Sequence, residues 1–164
     1  MDKGTLAPYS PWQERIGSVA VKAMSKANAW IYRLTGGRVG GRFPGGAPVM
    51  LLTTIGRKSG EPRVAPLLYL EDGDRIVTVA SKGGMSHHPL WYRNLVENPG
   101  VEVTIGTATR RMTARTATTA EKETYWPRLT AMYPDYGTYQ ARTTREIPVV
   151  ILSPRASRLS GAGP

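Results

Sequence analysis

The sequence contains no cysteine and only two histidines among its 164 residues. The lack of cysteine excludes disulfides, thiolate metal ligands and cysteine nucleophiles, and it is compatible with a reducing cytoplasm. The two histidines, His87 and His88, are adjacent, so their side chains diverge on a helix, and no suitably spaced carboxylate completes a ligand set. We therefore predict that the protein has no metal site.

Long hydrophobic runs are also missing. The chain has neither a run of about 18 apolar residues nor the apolar core of a secretory signal, so we expect a cytoplasmic protein that does not span a membrane. It has no nucleophile-elbow sequence, no phosphate-binding P-loop and no dinucleotide-binding fingerprint. Because the chain lacks its own acid–base equipment, its chemistry is expected to depend on a cofactor that brings its own reactivity.

Positive charge is abundant instead. The chain has 22 lysines and arginines against 12 acidic residues, and the net charge of +10 predicts an anionic partner: nucleic acid, an acidic lipid surface or a polyanionic cofactor. Half of the excess lies in residues 1–50. The remaining cations are scattered, with no basic stripe interleaved with aromatic residues and no helix-turn-helix or RNA-binding signature. We therefore expect no nucleic-acid partner.

The first part of the chain has the pattern of a basic amphipathic helix. A serine cap at Ser10, proline at the first helical position and glutamine three residues after the cap predict its start, and Gly36-Gly37 predicts its end. Apolar residues recur at helical spacing, with lysines and arginines off that stripe. Two interpretations stay open. The helix packs on the domain, or it makes peripheral contact with an anionic membrane at the inner face of the plasma membrane.

Turn signals organise the rest of the chain. A glycine-bracketed turn at 56–60 and the Asp72-Gly73 pair join three consecutive strands. A short helix is expected within residues 85–98. Another helix begins after the cap residue Thr118, and Pro127 inside it predicts a kink or a break.

The pattern predicts about six short strands, and with the helices these indicate an α+β fold whose antiparallel sheet closes as a small barrel. The predicted strands are Val49–Ile55, Val64–Leu70, Arg75–Ala80, Val101–Ile105, Thr109–Thr116 and Ile147–Leu152. We divide the chain into an N-terminal amphipathic helical segment (1–37), a barrel domain (38–154) and a flexible tail (155–164).

Two basic, glycine-containing segments are candidates for ligand binding. The first turn carries Arg57, Lys58 and Arg63, and the third strand ends in Ser81-Lys82-Gly83-Gly84, where bare backbone can approach a ligand closely. Cations beside apolar strands suit a ligand with an anionic tail and a flat apolar head. The alternative is that the glycines only shape hairpins and that edge lysines discourage aggregation.

Residues 51–154 resemble the deazaflavin (coenzyme F420)-dependent nitroreductase family of actinobacteria. The resemblance rests on T-T-I-G-R-K-S-G-E-P-R, P-L-L-Y-L-E-D-G-D, V-A-S-K-G-G, H-P-L-W-Y-R-N-L-V-E-N-P and Y-W-P-R-L-T-A-M-Y-P-D-Y, in this order. It implies an FMN-binding-like split β-barrel and binding of coenzyme F420, an 8-hydroxy-5-deazaflavin with a phosphodiester and an oligoglutamate tail. It also implies an oxidoreductase that transfers hydride from the reduced deazaflavin to quinones, nitroaromatics or other electron-poor acceptors.

The resemblance assigns roles to individual residues. Those implied for cofactor binding are Arg57, Lys58, Arg63, Pro66, Ala80, Ser81, Lys82, Pro89, Leu90, Trp91 and Asn94. Those implied for the acceptor are Leu68, Tyr133, Tyr136 and Tyr139, and the implied catalytic residues, as proton donors, are Ser81, Tyr133 and Tyr136. Core packing remains the alternative role for Trp91 and for the three tyrosines.

Two other functions are compatible with the same segments. An FMN-binding reductase of the same barrel architecture would need fewer cations, because FMN carries one phosphate. A carrier would bind the deazaflavin without a usable acceptor pocket. The first fifty residues match no motif that can be transferred, so both interpretations of the N-terminal helix stay open.

Overall fold

The computed structural model describes residues 6–155, without the side chains of 16–25. Most of the predicted tail lies outside these residues. Within them, four α-helices and seven strands follow one another along the chain. The helices are α1 (Pro11–Thr35), α2 (Leu90–Glu97), α3 (Thr119–Met132) and α4 (Asp135–Arg142). The strands are β1 (Val49–Ile55), β2 (Pro62–Leu68), β3 (Leu70–Asp72), β4 (Arg75–Val79), β5 (Gly100–Ile105), β6 (Ala108–Thr116) and β7 (Val149–Pro154).

Helix α1 has the boundaries that the sequence predicts. The Gln13 side chain accepts a 2.9 Å hydrogen bond from the main-chain N–H of Ser10, which satisfies a donor that the first turn leaves without a helical partner. The helix ends at Gly36, whose φ of +59° places it in the left-handed region where glycine is favoured. Both predicted ends of α1 are confirmed.

All pairings in the sheet are antiparallel, in the order β2-β1-β5-β6-β7-β4-β3. The sequence predicts one strand over Val64–Leu70, but the chain changes partner there. Leu68 still pairs with Val49 of β1, whereas Leu70 pairs with Val77 of β4. The single predicted strand is therefore two strands, which raises the observed number to seven among the described residues.

The predicted closure of the sheet into a barrel is wrong. Strands β2 and β3 are the two outer strands of the sheet, and they do not pair with each other. The sheet nevertheless curls far enough for the Thr78 hydroxyl of β4 to donate a 2.8 Å hydrogen bond to the Leu68 carbonyl of β2. A side-chain hydrogen bond thus joins the β2 half of the sheet to the β4 half. A closed barrel would have a ladder of main-chain hydrogen bonds there.

Strand β1 is buried on both faces. Met50 and Leu52 point into a core shared with α2, whereas Val49 and Leu51 point toward α1. Because successive side chains of a strand alternate between its faces, one short apolar run supplies both layers. A further core lies between the sheet and helices α3 and α4, and its main members are Val77, Tyr125, Leu129, Tyr136, Ile147 and Ile151.

The C-terminal half of α1 belongs to the fold. Tyr32 is buried, and its hydroxyl donates to the Val49 carbonyl at 3.1 Å and accepts from the Gly106 N–H at 2.8 Å. The opposite side of the same helix is open, since Trp30 and Leu34 are 66% and 65% exposed. Among the described residues, no helix has both the length and the hydropathy needed to cross a membrane.

Helix α3 begins at the predicted cap. Thr118 and Glu121 exchange hydrogen bonds, and two further bonds of 2.7 Å from the Arg115 guanidinium lower the pKa of Glu121 to about 2. Of the kink or break predicted at Pro127, the break does not occur, because the helix continues through this residue to Met132. The tyrosine-rich segment that follows forms helix α4.

Candidate functional site

The turn between β1 and β2 presents the first group of cations. The turn closes through hydrogen bonds from Gly56 N–H to the Glu61 carbonyl and from Gly60 N–H to the Gly56 carbonyl, both 2.8 Å. Arg57 is half-buried, whereas Lys58 and Arg63 are exposed. Within the described part of the chain, none of these three cations forms an ion pair with a carboxylate. Their charge is therefore available to an anionic ligand.

Asn94 connects this turn to helix α2. It is 6% exposed, its Oδ1 accepts from the Arg57 N–H at 3.2 Å, and its Nδ2 donates to the Thr54 hydroxyl at 3.2 Å. Both ends of the amide are thus occupied by protein groups. Asn94 therefore positions the Arg57 turn. This role is less direct than the contact with the cofactor that the resemblance implies.

The second basic segment, 80–88, follows strand β4. Lys82 has a φ of +45°, in the left-handed region that non-glycine residues rarely adopt, and Gly83 and Gly84 continue in the same region. A Cβ on Gly84 would lie 2.6 Å from the Tyr139 carbonyl oxygen. Glycine is therefore required at 84, because the segment lies directly against the backbone of α4.

A single arginine holds this segment in place. The guanidinium of Arg145, between α4 and β7, donates to the carbonyls of Ser81 at 2.7 Å, Met85 at 2.8 Å and Ala80 at 3.3 Å. It also lies 3.2 Å from Nδ1 of His88, and since a guanidinium only donates, this nitrogen is the acceptor. Burial lowers the pKa of Arg145 somewhat from its ordinary value.

Sequence reasoning missed Arg145. It lies in a short polar connection that matches none of the quoted motifs, and its partners are about sixty residues earlier in the chain. Spacing and hydrophobic pattern carry no signal for such a contact. The only local hint is an arginine in the connection that leads into the buried strand β7.

The two histidines contact different partners. Burial, followed by the charges of Arg145 and Arg93, lowers the pKa of His88, whose ring lies 4.9 Å from that of Tyr92. His87 instead lies between Lys82, with Nζ and Nε2 2.6 Å apart, and a carboxylate of α1. Among the residues described, no three His, Asp or Glu side chains are grouped as a metal site.

The carboxylate beside His87 is Glu14. It accepts hydrogen bonds from the Ser86 N–H at 2.7 Å and the Ser86 hydroxyl at 2.8 Å. Burial alone would raise the pKa of Glu14, but these bonds, together with the charges of His87 and Lys82, lower it. The N-terminal end of α1 is thus tied to the glycine-containing segment.

Apolar residues lie between the two basic segments. Trp91 is half-buried against the core and meets Tyr92 edge-on at 6.3 Å, so it packs in the fold while keeping part of its surface accessible. Pro89 is buried and Leu90 is 50% exposed. His88, just before α2, contacts Arg145, and Asn94, within α2, contacts the Arg57 N–H, so this short helix joins the two basic segments.

The three tyrosines form one cluster, although they differ in burial. The rings of Tyr133 and Tyr136 are 5.0 Å apart, and the hydroxyls of Tyr133 and Tyr139 are 3.1 Å apart. Tyr136 is 4% exposed within the core, whereas the other two are half-buried. Burial raises the pKa of Tyr133 and of Tyr136, so both stay protonated at neutral pH. Phe43, which sequence reasoning missed, packs edge-on against Tyr133 at 5.5 Å.

Two cavities lie away from the basic turn and the tyrosine cluster. One of about 400 Å³ lies between the end of α1 and the sheet, lined by Arg33, Glu102 and several threonines. Another, of about 270 Å³, lies beside His88, Tyr92 and Lys122. Neither is lined by the basic turn or by the tyrosine cluster.

Comparison with known proteins identifies the family. The profile of the F420H(2)-dependent quinone reductases matches residues 24–154. An F420H(2)-dependent quinone reductase of Mycobacterium tuberculosis (strain ATCC 25618 / H37Rv) is 40% identical over 151 residues, 89% of this chain and 98% of the relative. A solved F420-H2 dependent reductase (FDR-A) is 42% identical with a TM-score of 0.60, over 65% of this chain and 94% of that one.

A second solved structure, described as a domain-swapped dimer, is 37% identical with a TM-score of 0.63 and covers 78% of this chain and 95% of that one. The identities and coverage of these relatives agree with the profile match. The chain belongs to the F420H(2)-dependent quinone reductase family.

Proposed function

We propose that this protein is an oxidoreductase that transfers hydride from reduced coenzyme F420 to a quinone-like acceptor. The observation that carries the proposal is the basic turn of Arg57, Lys58 and Arg63, whose cations have no carboxylate partner in the described structure. Membership of the F420H(2)-dependent quinone reductase family supports the same function.

The residues present fit the cofactor. Arg57, Lys58 and Arg63 would bind the phosphodiester and the glutamate tail, where hydrogen bonds between ions are strongest. Ser81 and Lys82 would continue this contact toward the ring system. The residues that would contribute apolar surface to the ring are Pro66, Ala80, Pro89, Leu90 and Trp91. Asn94 would act through the turn that it holds.

When bound in its reduced form, coenzyme F420 supplies a hydride from its C5 carbon. The side chains provide position and a proton. Leu68 and Tyr139 would hold a flat acceptor, with nitroaromatics and other electron-poor compounds as further substrates. The Tyr133 hydroxyl, which is protonated at neutral pH, and the Ser81 hydroxyl would be the proton donors. Most of the rate would come from proximity and orientation.

Tyr136 has a different place in this proposal. Its ring is buried against Tyr133, so it would act by holding the neighbouring ring in position instead of touching the acceptor. We also assign the curled, open sheet to the split-barrel architecture of FMN-binding-like proteins. The contact between Thr78 and Leu68 supports this assignment, because it joins the two halves of the sheet.

Peripheral contact with an anionic membrane is part of the proposal. Trp30 and Leu34 expose about two-thirds of their surface on α1, next to the exposed cations Lys26 and Arg33. Apolar residues flanked by lysine and arginine suit the interface of an acidic bilayer. The protein should co-sediment with phosphatidylglycerol vesicles and be released by salt. Equal co-sedimentation of wild type and of a Trp30→Ser/Leu34→Ser variant with these vesicles would contradict this contact.

A turnover assay tests the function. Reduced coenzyme F420 and menadione are mixed with the protein, and oxidation of the deazaflavin is followed together with loss of the quinone. We expect catalysed loss of the two in equal amounts. Binding without turnover of any quinone or nitroaromatic acceptor would favour the carrier, and turnover with reduced FMN alone would favour the FMN-dependent alternative.

A further inference from the structure

One distant side chain, Arg145, holds the segment 80–88 in place. We propose that this segment has an anion-binding face, that Arg145 is its positioning residue, and that the ligand is an anionic oxygen of the cofactor, from its phosphodiester or its glutamate tail. This inference rests on the proposed function, because the ligand class is that of coenzyme F420.

The first argument is the direction of the peptide groups. Arg145 gathers the carbonyl oxygens of Ala80, Ser81 and Met85 on one side of the segment. In a trans peptide the N–H points opposite to the C=O, and the described chain has no cis bonds. The N–H groups that follow these carbonyls, at residues 81, 82 and 86, therefore point away from the guanidinium.

The second argument is that an anion already occupies part of this opposite side. The N–H of Ser86 is one of the three that Arg145 turns outward, and it donates to the Glu14 carboxylate at 2.7 Å. The Ser86 hydroxyl supplies a second bond at 2.8 Å, and Lys82 and His87 lie close enough to lower the pKa of Glu14. The Glu14 carboxylate of helix α1 thus shows that this side of the segment can bind an anionic oxygen.

The third argument is conformational. Lys82 is held at a φ of +45°, which side-chain-bearing residues rarely adopt unless surrounding contacts impose it. Arg145 bonds the carbonyl just before Lys82 and the carbonyl three residues after it. These two contacts span the Lys82–Gly84 turn, so the guanidinium fixes the unusual conformation that directs the amides outward.

Lysine cannot replace arginine in this arrangement. Arginine presents several N–H donors in a fixed planar fork, whereas lysine places a single ammonium at the end of a flexible chain. Arg145→Lys keeps the charge but loses the simultaneous contacts to carbonyls on both sides of the turn. The matched control is Arg128→Lys, because Arg128 also donates to a main-chain carbonyl, that of Glu71, but lies away from this segment and bonds the Asp72 carboxylate instead of His88.

The test compares three ligands by fluorescence titration. They are coenzyme F420, the form that keeps the phosphodiester but lacks the glutamates, and the riboflavin-level deazaflavin, which has neither. Arg145→Lys should weaken F420 binding about ten-fold, a difference of about 1.4 kcal/mol, and leave the riboflavin-level compound within about two-fold of wild type. A loss that persists with the glutamate-free form identifies the phosphodiester as the ligand, and a loss confined to full F420 identifies the tail.

Two results would overturn the inference. Wild-type affinity for F420 in a folded Arg145→Lys protein would show that the face does not need Arg145. An equal loss for all three ligands would show that Arg145 only supports the ring pocket. Failure of wild type to bind any deazaflavin would instead contradict the proposed function.

If Arg145→Lys does not fold, a second variant tests the inference. His88→Ala removes one of the four guanidinium contacts, and it should weaken F420 binding without affecting the riboflavin-level compound. An unchanged F420 affinity in that variant would also count against the inference.

Discussion

Asn94 of helix α2 accepts a hydrogen bond from the main-chain N–H of Arg57, and this 3.2 Å contact fixes the basic turn against the body of the protein. The same amide donates to the buried Thr54 hydroxyl. A cationic turn on an exposed hairpin would otherwise be free to move. Because the turn is held, less conformational entropy is lost when an anionic ligand binds.

Removal of Asn94 should therefore affect both stability and binding. Asn94→Ala leaves the Arg57 N–H and the Thr54 hydroxyl without this partner, and we expect a loss of about 1–3 kcal/mol in the free energy of unfolding. F420 affinity should also fall in the protein that remains folded. The control is Asn98→Ala, since Asn98 is exposed at the end of the same helix. Equal urea denaturation curves for wild type and Asn94→Ala would be inconsistent with the contact.

The basic turn should contribute through its charge. Replacing Arg57 and Lys58 with alanine should weaken F420 binding and reduce its dependence on salt, because exposed charges are screened beyond about 8–10 Å at physiological ionic strength. Turnover at saturating cofactor should largely persist. The control is the Arg110→Ala/Arg111→Ala double variant, which removes two exposed cations from β6. Titrations at two salt concentrations measure the effect, and normal binding by the Arg57/Lys58 variant would mean that the tail lies elsewhere.

Substitutions of the half-buried Tyr133 and of the buried Tyr136 should have different effects. Tyr133→Phe should spare F420 binding and lower menadione reduction by roughly ten-fold, equivalent to about 1.4 kcal/mol of transition-state stabilisation. Tyr136→Ala removes a ring that is 4% exposed, so we expect it to cost about 3–5 kcal/mol in stability. Tyr136→Phe keeps the ring and should change turnover less than Tyr133→Phe. Steady-state kinetics with a thermal melt of each variant test this order, and unchanged turnover in folded Tyr133→Phe would remove that hydroxyl from the mechanism.

His88 should make stability depend on pH. Its pKa in the folded protein is lowered from the ordinary 6.5 by burial and by Arg145 and Arg93. The unfolded chain therefore binds more protons than the folded one below pH 6.5, and the stability present above that pH is lost as pH falls through the folded pKa. Urea denaturation at pH 7.5 and 5.5 should show this loss in wild type and a smaller one in His88→Ala. If the free energy of unfolding depends on pH equally in both proteins, groups other than His88 cause the loss of stability.

Local chemistry explains what the sequence predicts well. The serine cap and Gly36 specify α1, the apolar run specifies β1, and the capping pair specifies the start of α3. Each of these signals depends on residues close together in the chain. The first turn can also be selected from the sequence as a candidate ligand site, because charge beside glycine on a hairpin is visible without the fold, and its contact with a ligand stays a prediction.

Contacts between residues distant in the chain explain what the sequence does not predict. The change of partner at Tyr69 depends on where β4 lies, and the role of Arg145 depends on carbonyls about sixty residues away. Helix α3 continues through Pro127 because packing of residues such as Leu129 offsets the missing hydrogen bond. The burial of Tyr136 follows from how α4 folds back on the sheet, which even spacing of three tyrosines does not reveal.

The choice of cofactor is the central claim, and one titration tests it most directly. The purified protein is titrated separately with oxidised coenzyme F420 and with FMN, and binding is followed by fluorescence. We predict a dissociation constant for F420 in the micromolar range or tighter, about 8 kcal/mol of binding free energy, and distinctly weaker binding of FMN. Equal or tighter binding of FMN would contradict the account.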